Sequence, residues 1–241
     1  MDRLYRLLPV FFLLALAVLL LFPLAALGTR FGLWHFMTAF ALLGGGAITG
    51  LVLLAICGVI LLVAIHRHDD KAKHRAMLVV MTLLVPLGYL TYYVVQASQV
   101  PMIHDISTDP AQPPEPVALL AQRGAGSNPL DYSAEVAAAQ AAAYADIKPL
   151  YLDLTLAGAL ARAEQVAAEL GWQVVMTDAA RGTLEATATS FWFGFVDDVV
   201  VRVRPEGERT RIDVRSVSRV GKGDVGKNAA RIRVFLRQMA D

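Results

Sequence analysis

The sequence predicts a membrane-anchored α+β protein: three transmembrane helices precede an antiparallel sheet that carries helices on one face. Residues 7–27, 36–65 and 76–97 are apolar and contain no Asp, Glu, Lys or Arg. About 20 apolar residues in a helix cross a hydrocarbon core of about 30 Å. Beyond residue 132 the sequence instead predicts a short helix, then a strand, a helix, a run of further strands and a last helix. Antiparallel strands with helices gathered on one face are typical of an α+β domain.

Basic residues set the expected orientation of the three spans. Arg6 precedes the first span, as does Arg3. Four more lie between the second and third spans: Arg67, Lys71, Lys73 and Arg75. No Lys or Arg follows the third span until Arg123. Because Lys and Arg remain cytoplasmic, we expect a cytoplasmic amino end and a periplasmic domain at a bacterial inner membrane.

The first span has an alternative interpretation as a cleaved signal peptide, because residues 1–28 combine a basic start with an apolar middle. The long apolar stretch and the poor cleavage site at residues 25–27 favour a retained helix. Both interpretations leave the carboxyl-terminal domain on the outer side.

The composition divides the chain into three parts. We expect a membrane domain over residues 1–97, a linker over 98–132 and an α+β domain over 133–241. The linker is rich in proline and glycine, which favour extended or irregular chain, and we expect it to lie against the folded domain.

Helix signals and alternation define the elements of the outer domain. Ser133 and Thr155 are expected to begin helices, Gly171 to end the second one, and Asp224 to cap the last. Strands are expected at 151–154, 172–177, 183–189, 199–204 and 210–218.

Strand alternation assigns the charged side chains to one face of the sheet. Apolar residues such as Val201 and Val214 point inward. The residues expected on the exposed outer face are Glu185, Asp198, Arg202, Arg204, Arg211, Asp213 and Arg215. Such an array indicates either cross-strand ion pairs on a solvated face or a docking face for an anionic group or a protein partner.

Polar residues form a second candidate region near the last helix. A glycine-rich loop before a helix can bind an anion through its N–H groups, but Asp224 at that position favours a structural turn. Candidates here are Ser218, Arg219, Asp224 and Asn228. Acid–base or ligand candidates elsewhere are His104, Asp105, Asp109, Asp197 and Asp198.

Two apolar features have open interpretations. Residues 191–195 (FWFGF) contain four aromatics, including Trp192, and are expected at a strand end or in a hairpin. They either fill the core or form an exposed wedge against membrane or partner. Gly46 and Gly50 form a small-xxx-small patch, either for packing among the three helices or for docking a partner helix.

Three ordered stretches resemble motifs of domain-of-unknown-function family 1499. They are HDISTD over 104–109 followed by Pro113-Pro114, the stretch 185–203 around FWFGFVDD, and DVRSVSRVGKGDVGKN over 213–228. The resemblance covers about residues 100–239 and implies a membrane-attached envelope domain. It brings no activity, cofactor or catalytic residues.

The sequence favours a non-enzymatic accessory, assembly or docking module of the cell envelope. Its expected partners are the lipid bilayer and a membrane or envelope protein. The formal net charge of +1 gives no preference for nucleic acid. We expect no cofactor and no metal site. A small-molecule or lipid-binding module remains the alternative, including an enzyme that uses carboxylates, arginine and one histidine. Its pocket would comprise His104, Asp105, Asp197, Asp198, Arg219 and Asn228.

Overall fold

The computed structural model describes residues 5–241, which belong to two compact units. The first unit comprises the chain as far as Gln96 together with residues 191–194. The second comprises residues 97–190 and 195–241. Arg3, which was used above for orientation, lies outside the described residues.

The first unit contains the three predicted apolar helices. They are α1 (Leu8–Arg30), α2 (Phe36–His66) and α3 (Asp70–Ser98). Each is long and apolar enough to cross a membrane, which fits a membrane protein. Helix α2 continues unbroken through its three adjacent glycines over 31 residues. At about 1.5 Å per residue, it is longer than a hydrocarbon core of about 30 Å.

Gly46 and Gly50 lie where α2 approaches its neighbours in the first unit. A β-carbon on Gly46 would lie 2.8 Å from the side chain of Leu21 in α1. One on Gly50 would lie 3.4 Å from Leu87 in α3 and 3.5 Å from Val18 in α1. The small residues therefore allow close packing among the helices of this chain.

The second unit is an α+β fold, as the sequence predicts. Its helices are α4 (Ala134–Ala143), α5 (Leu156–Glu169) and α6 (Lys227–Ala240). Its strands are β1 (Asp105–Ser107), β2 (Leu150–Leu152), β3 (Gln173–Asp178), β4 (Thr183–Thr189), β5 (Val196–Glu206) and β6 (Arg209–Ser218). The antiparallel order is β1-β6-β5-β4-β3, and β2 also pairs with β6.

One face of this sheet packs against helices to form the core. Val201 and Val214 are buried there with side chains from α5 and α6. Trp172 stacks on Phe235 of α6 with ring centroids 5.1 Å apart. This confirms the predicted inward face of β5 and β6, because alternate residues of a strand point to the same side.

The predicted helix starts are confirmed for α4 and α5. The Ser133 hydroxyl accepts the N–H of Val136, and the Thr155 hydroxyl accepts that of Gly158. Helix α6 begins slightly later than predicted, after Gly226 in a left-handed conformation. Asp224 still contributes, because its carboxylate accepts the N–H of Gly226 at 2.8 Å.

The opposite face of the sheet lies beneath residues 105–131, here called the covering segment. Strand β1 belongs to it and pairs with β6, with Asp105 opposite Val217 and Ser107 opposite Arg215. A 3₁₀ helix, Ala118–Gln122, follows and buries Leu119 completely. Most of the proline-rich stretch is therefore a layer of the second unit.

We expect Phe235→Ala to destabilise the second unit by about 3–5 kcal/mol, because it removes a fully buried ring and leaves a cavity. Denaturant unfolding of the full chain in detergent micelles measures the change. The neighbouring Val234 is partly exposed, and Val234→Ala is the matched control, expected to change stability much less. Equal losses in the two variants would contradict this assignment of the core.

A buried charge network as the candidate functional site

The charged residues of the sheet lie on the predicted face, but the expectation that this face is exposed is wrong. Four of the predicted residues are buried beneath the covering segment: Glu185, Asp198, Asp213 and Arg215. Arg202, Arg204 and Arg211 are partly buried at the margin. The pattern predicted the face correctly because alternation fixes side-chain direction. It could not indicate that another part of the chain covers that face.

Arg215 is the largest of the buried charged side chains on this face, with only 1% of its surface exposed. Its guanidinium donates to both carboxylate oxygens of Asp105, at 3.0 and 2.6 Å. It also donates to the carbonyl oxygens of Pro114 at 3.3 Å and Leu130 at 2.6 Å. One side chain of β6 thus holds both ends and the middle of the covering segment through charge-assisted bonds.

The aromatic ring of Tyr132 completes this environment. The Arg215 guanidinium lies 5.8 Å from its centre, within range of a cation–π interaction. Burial, and then the negative charge of Asp105, raise the pKa of the Tyr132 hydroxyl. It remains a neutral donor and bonds Gln140 at 2.6 Å.

Glu185 holds the 3₁₀ helix from the middle of β4. Its carboxylate accepts the backbone N–H groups of Val117, Ala118 and Leu119 at 2.8, 3.2 and 2.9 Å. The first N–H groups of a helix have no partner within the helix, and their dipoles favour a negative charge. The burial of this carboxylate is therefore balanced without an arginine.

Asp198 provides a third attachment. Arg123 of the covering segment and Arg219 after β6 both donate to its carboxylate, the latter at 2.7 Å. Arg219 also donates to the Gln122 carbonyl at 3.0 Å. The two guanidiniums surround a fully buried acid and tie the end of the 3₁₀ helix to β5.

A fourth attachment lies at the partly exposed margin. Asp109 accepts from Arg202, Arg204 and Arg211 at 3.0, 3.1 and 2.9 Å. Arg202 and Arg211 also donate to Asp213, at 2.9 and 3.0 Å. Arg204 also lies 3.5 Å from the Asp213 carboxylate. The two acids therefore share three arginines, which are largely bound to partners within the same unit.

The polar residues near α6 form a separate cluster on the helix-covered face. Asn228 donates to the His104 carbonyl and the Ser218 hydroxyl, both at 2.9 Å, and accepts from Ser216 at 2.7 Å. Asp197 accepts from Arg231 of α6 at 2.6 Å. These bonds join the start of α6 to the ends of β5 and β6.

Asp224 lies at the edge of this second cluster. Burial raises the pKa of its carboxyl, while the N–H groups of Asn228 and Gly226 act in the opposite direction. Those donors lie at 2.6 and 2.8 Å. The residue thus serves the turn into α6, as the glycine-rich sequence favoured.

The six residues considered for one ligand pocket do not converge as a set. Asp197 and Asp198 are adjacent in β5 and bond to opposite sides, Asp197 to α6 and Asp198 to Arg123 of the covering segment. His104 joins the network through its backbone carbonyl. The sheet therefore divides the proposed pocket into two bonded clusters.

Several residues that form hydrogen bonds in these two clusters were not predicted from the sequence. Gln140 donates to the Ser107 carbonyl at 2.6 Å and accepts its N–H at 2.9 Å, so its amide continues the hydrogen bonding of β1. Its signal was a lone amide within an alanine-rich helix. Arg123 and Arg231 gave no comparable signal, because isolated arginines are typical of surfaces.

Trp192 lies outside both clusters, in the loop between β4 and β5. It is 44% exposed, and the adjacent Phe191 is 70% exposed. The hairpin prediction is confirmed, since Ser190 and Phe195 close the loop by a backbone bond of 2.8 Å.

We expect Glu185→Gln to cost about 1–3 kcal/mol, because a single amide oxygen leaves part of the three N–H groups without a partner. Amide hydrogen exchange of residues 117–119 should accelerate. Glu206→Gln is the matched control on the adjacent strand, because Glu206 is exposed and its loss should cost less than about 0.5 kcal/mol. Unchanged protection at 117–119 would refute the proposed role of Glu185.

Comparison with known proteins identifies the family of this chain. A family model described as "Protein of unknown function (DUF1499)" matches residues 105–239, from Asp105 of the ion pair through most of α6. No curated protein matches the chain. Because the match covers more than half of the sequence, the chain belongs to the DUF1499 family.

Proposed function

We propose that this protein is a non-enzymatic accessory or assembly protein of the bacterial inner membrane, and that its periplasmic unit docks an envelope protein. Three helices able to cross a membrane support the anchorage. The basic residues between α2 and α3, and their scarcity after α3, support a periplasmic second unit.

The non-enzymatic role is supported by how the candidate acids are used. Asp105, Asp197 and Asp198 each accept from arginine within the unit, and Glu185 accepts from backbone N–H groups. Buried charges held by several hydrogen bonds are suited to positioning chain segments. Because these carboxylates are bound within the unit, we infer that their role is structural.

We propose that the docking surface is the open edge of β3. The proposal depends on the observation that, in the part of the chain that the structure describes, this strand is paired on one side only. The other edge of the sheet is covered twice, because β1 and β2 both pair with β6. Within residues 5–241, the backbone of β3 pairs only with β4. Its outward N–H and C=O groups are therefore available to an added strand.

The sequence of β3 suits strand addition. QVVMTD contains no Lys or Pro, the residues that commonly guard exposed edges. A register shift between Val174 and Met176 interrupts the pairing with β4, and such an irregularity disturbs the ladder locally, so the regular parts of the edge lie on either side of it. Main-chain bonds to an edge strand provide affinity, and pockets for alternate side chains provide specificity. We therefore infer that the partner supplies an extended segment.

Photo-crosslinking in native membranes tests this proposal. A benzophenone side chain at Gln173 or Thr177, both exposed on β3, should give a discrete adduct with one envelope protein. The same probe at Glu208, exposed in the β5–β6 turn, is the positional control and should give none.

A charge on the edge should weaken that adduct. Val175→Lys is expected to reduce crosslinking at Gln173 several-fold, because lysine opposes strand addition. Val234→Lys, on the partly exposed side of α6, controls for loss of a valine. An adduct of undiminished yield with Val175→Lys, or one that appears equally at Glu208, would contradict docking at β3.

A further inference from the structure

The loop between β4 and β5 presents aromatic side chains that the second unit does not bury. Phe191 is 70% exposed and Trp192 is 44% exposed. The loop is nevertheless well defined, because Phe195 donates its N–H to the Ser190 hydroxyl at 2.9 Å. Gly194 completes the turn with φ of +69°, a conformation that suits glycine. A firm loop thus exposes large apolar rings.

Residues 191–194 belong to the compact unit formed by the three apolar helices. Arg30, the last residue of α1, donates to the Phe191 carbonyl at 2.5 Å. Its guanidinium lies 5.5 Å from the centre of the Phe191 ring. Phe193 lies 5.5 Å from Phe40 of α2, measured between ring centres. Within the first unit, residues 191–194 therefore lie at the end of α1 and the start of α2.

This end of the helices has the composition of a membrane–water interface. If three consecutive helices each cross the bilayer, the end of α1, the start of α2 and the end of α3 share one side. Aromatic residues cluster at these three ends: Phe31, Trp34, Phe36, Tyr89, Tyr92 and Tyr93. Tyr and Trp are enriched at this depth because each combines an apolar ring with a polar group.

We propose that Phe191 and Trp192 form an interfacial anchor that inserts into the headgroup and upper acyl region of the bilayer. The anchor adjoins the end of α1 through Arg30, which contacts Phe191, and Phe193, the next residue after the anchor, lies beside Phe40 of α2. Its partner is lipid. The cost of exposing a phenyl and an indole ring to water is thereby removed. This attachment goes beyond docking at β3, and either one can fail without the other.

Depth measurement on the full chain in lipid nanodiscs tests the anchor. The only cysteine, Cys57, is replaced by alanine, and an NBD fluorophore is attached after Trp192→Cys or, separately, Phe191→Cys. Discs contain phosphatidylcholine and phosphatidylglycerol and one protein each, so neither a partner protein nor a second copy can cover the loop. Glu208→Cys, in the exposed β5–β6 turn, is the matched control.

Both loop probes should emit at shorter wavelength than the control. Lipid with a nitroxide at acyl carbon 5 should quench them several-fold more strongly than it quenches the probe at residue 208, and aqueous iodide should show the reverse order. Two label sites protect the test against disturbance by either substitution. Iodide access at 191 and 192 equal to that at 208 would overturn the anchor, and would leave docking at β3 untouched.

Discussion

The second unit depends on one buried ion pair, in which Arg215 of β6 binds Asp105 at the start of the covering segment. An isolated charge in this interior would be strongly destabilising, so the pair persists only with several hydrogen bonds. Arg215 obtains these from Pro114 and Leu130. The same bonds that satisfy the charge therefore fix the path of the covering segment over the sheet.

The remaining charges follow the same logic. Glu185 holds the 3₁₀ helix by its N–H groups, and Asp198 holds its far end through Arg123 and Arg219. Asp109 forms ion pairs with the partly buried Arg202, Arg204 and Arg211 at the margin of the sheet. Ion pairs and hydrogen bonds of charged side chains thus hold the covering segment, which contains few apolar residues, against the sheet. Because these charges are bound within the unit, the sheet face that charge patterning suggested for docking is covered. We therefore propose the open edge of β3 as the docking surface instead.

Local signals predicted much of the fold. The hydroxyls of Ser133 and Thr155 mark helix starts because capping is a contact between near neighbours, and alternation located Val201 and Val214 in the core. The covering segment could not be predicted in the same way. A charged residue at an outward strand position is compatible with water or with a covering chain, since periodicity records direction alone. The partners of Glu185 are backbone N–H groups, which leave no mark in the sequence.

A double-mutant cycle on Asp105 and Arg215 tests the central claim most directly. Asp105→Ala, Arg215→Ala and the double variant are compared with the parent chain by denaturant unfolding in micelles. We predict that each single variant loses about 3–5 kcal/mol, because the remaining charge stays buried without its partner. The double variant should lose far less than the sum, with a coupling energy of about 2 kcal/mol or more. Losses that add within about 0.5 kcal/mol would contradict a structure that depends on this pair.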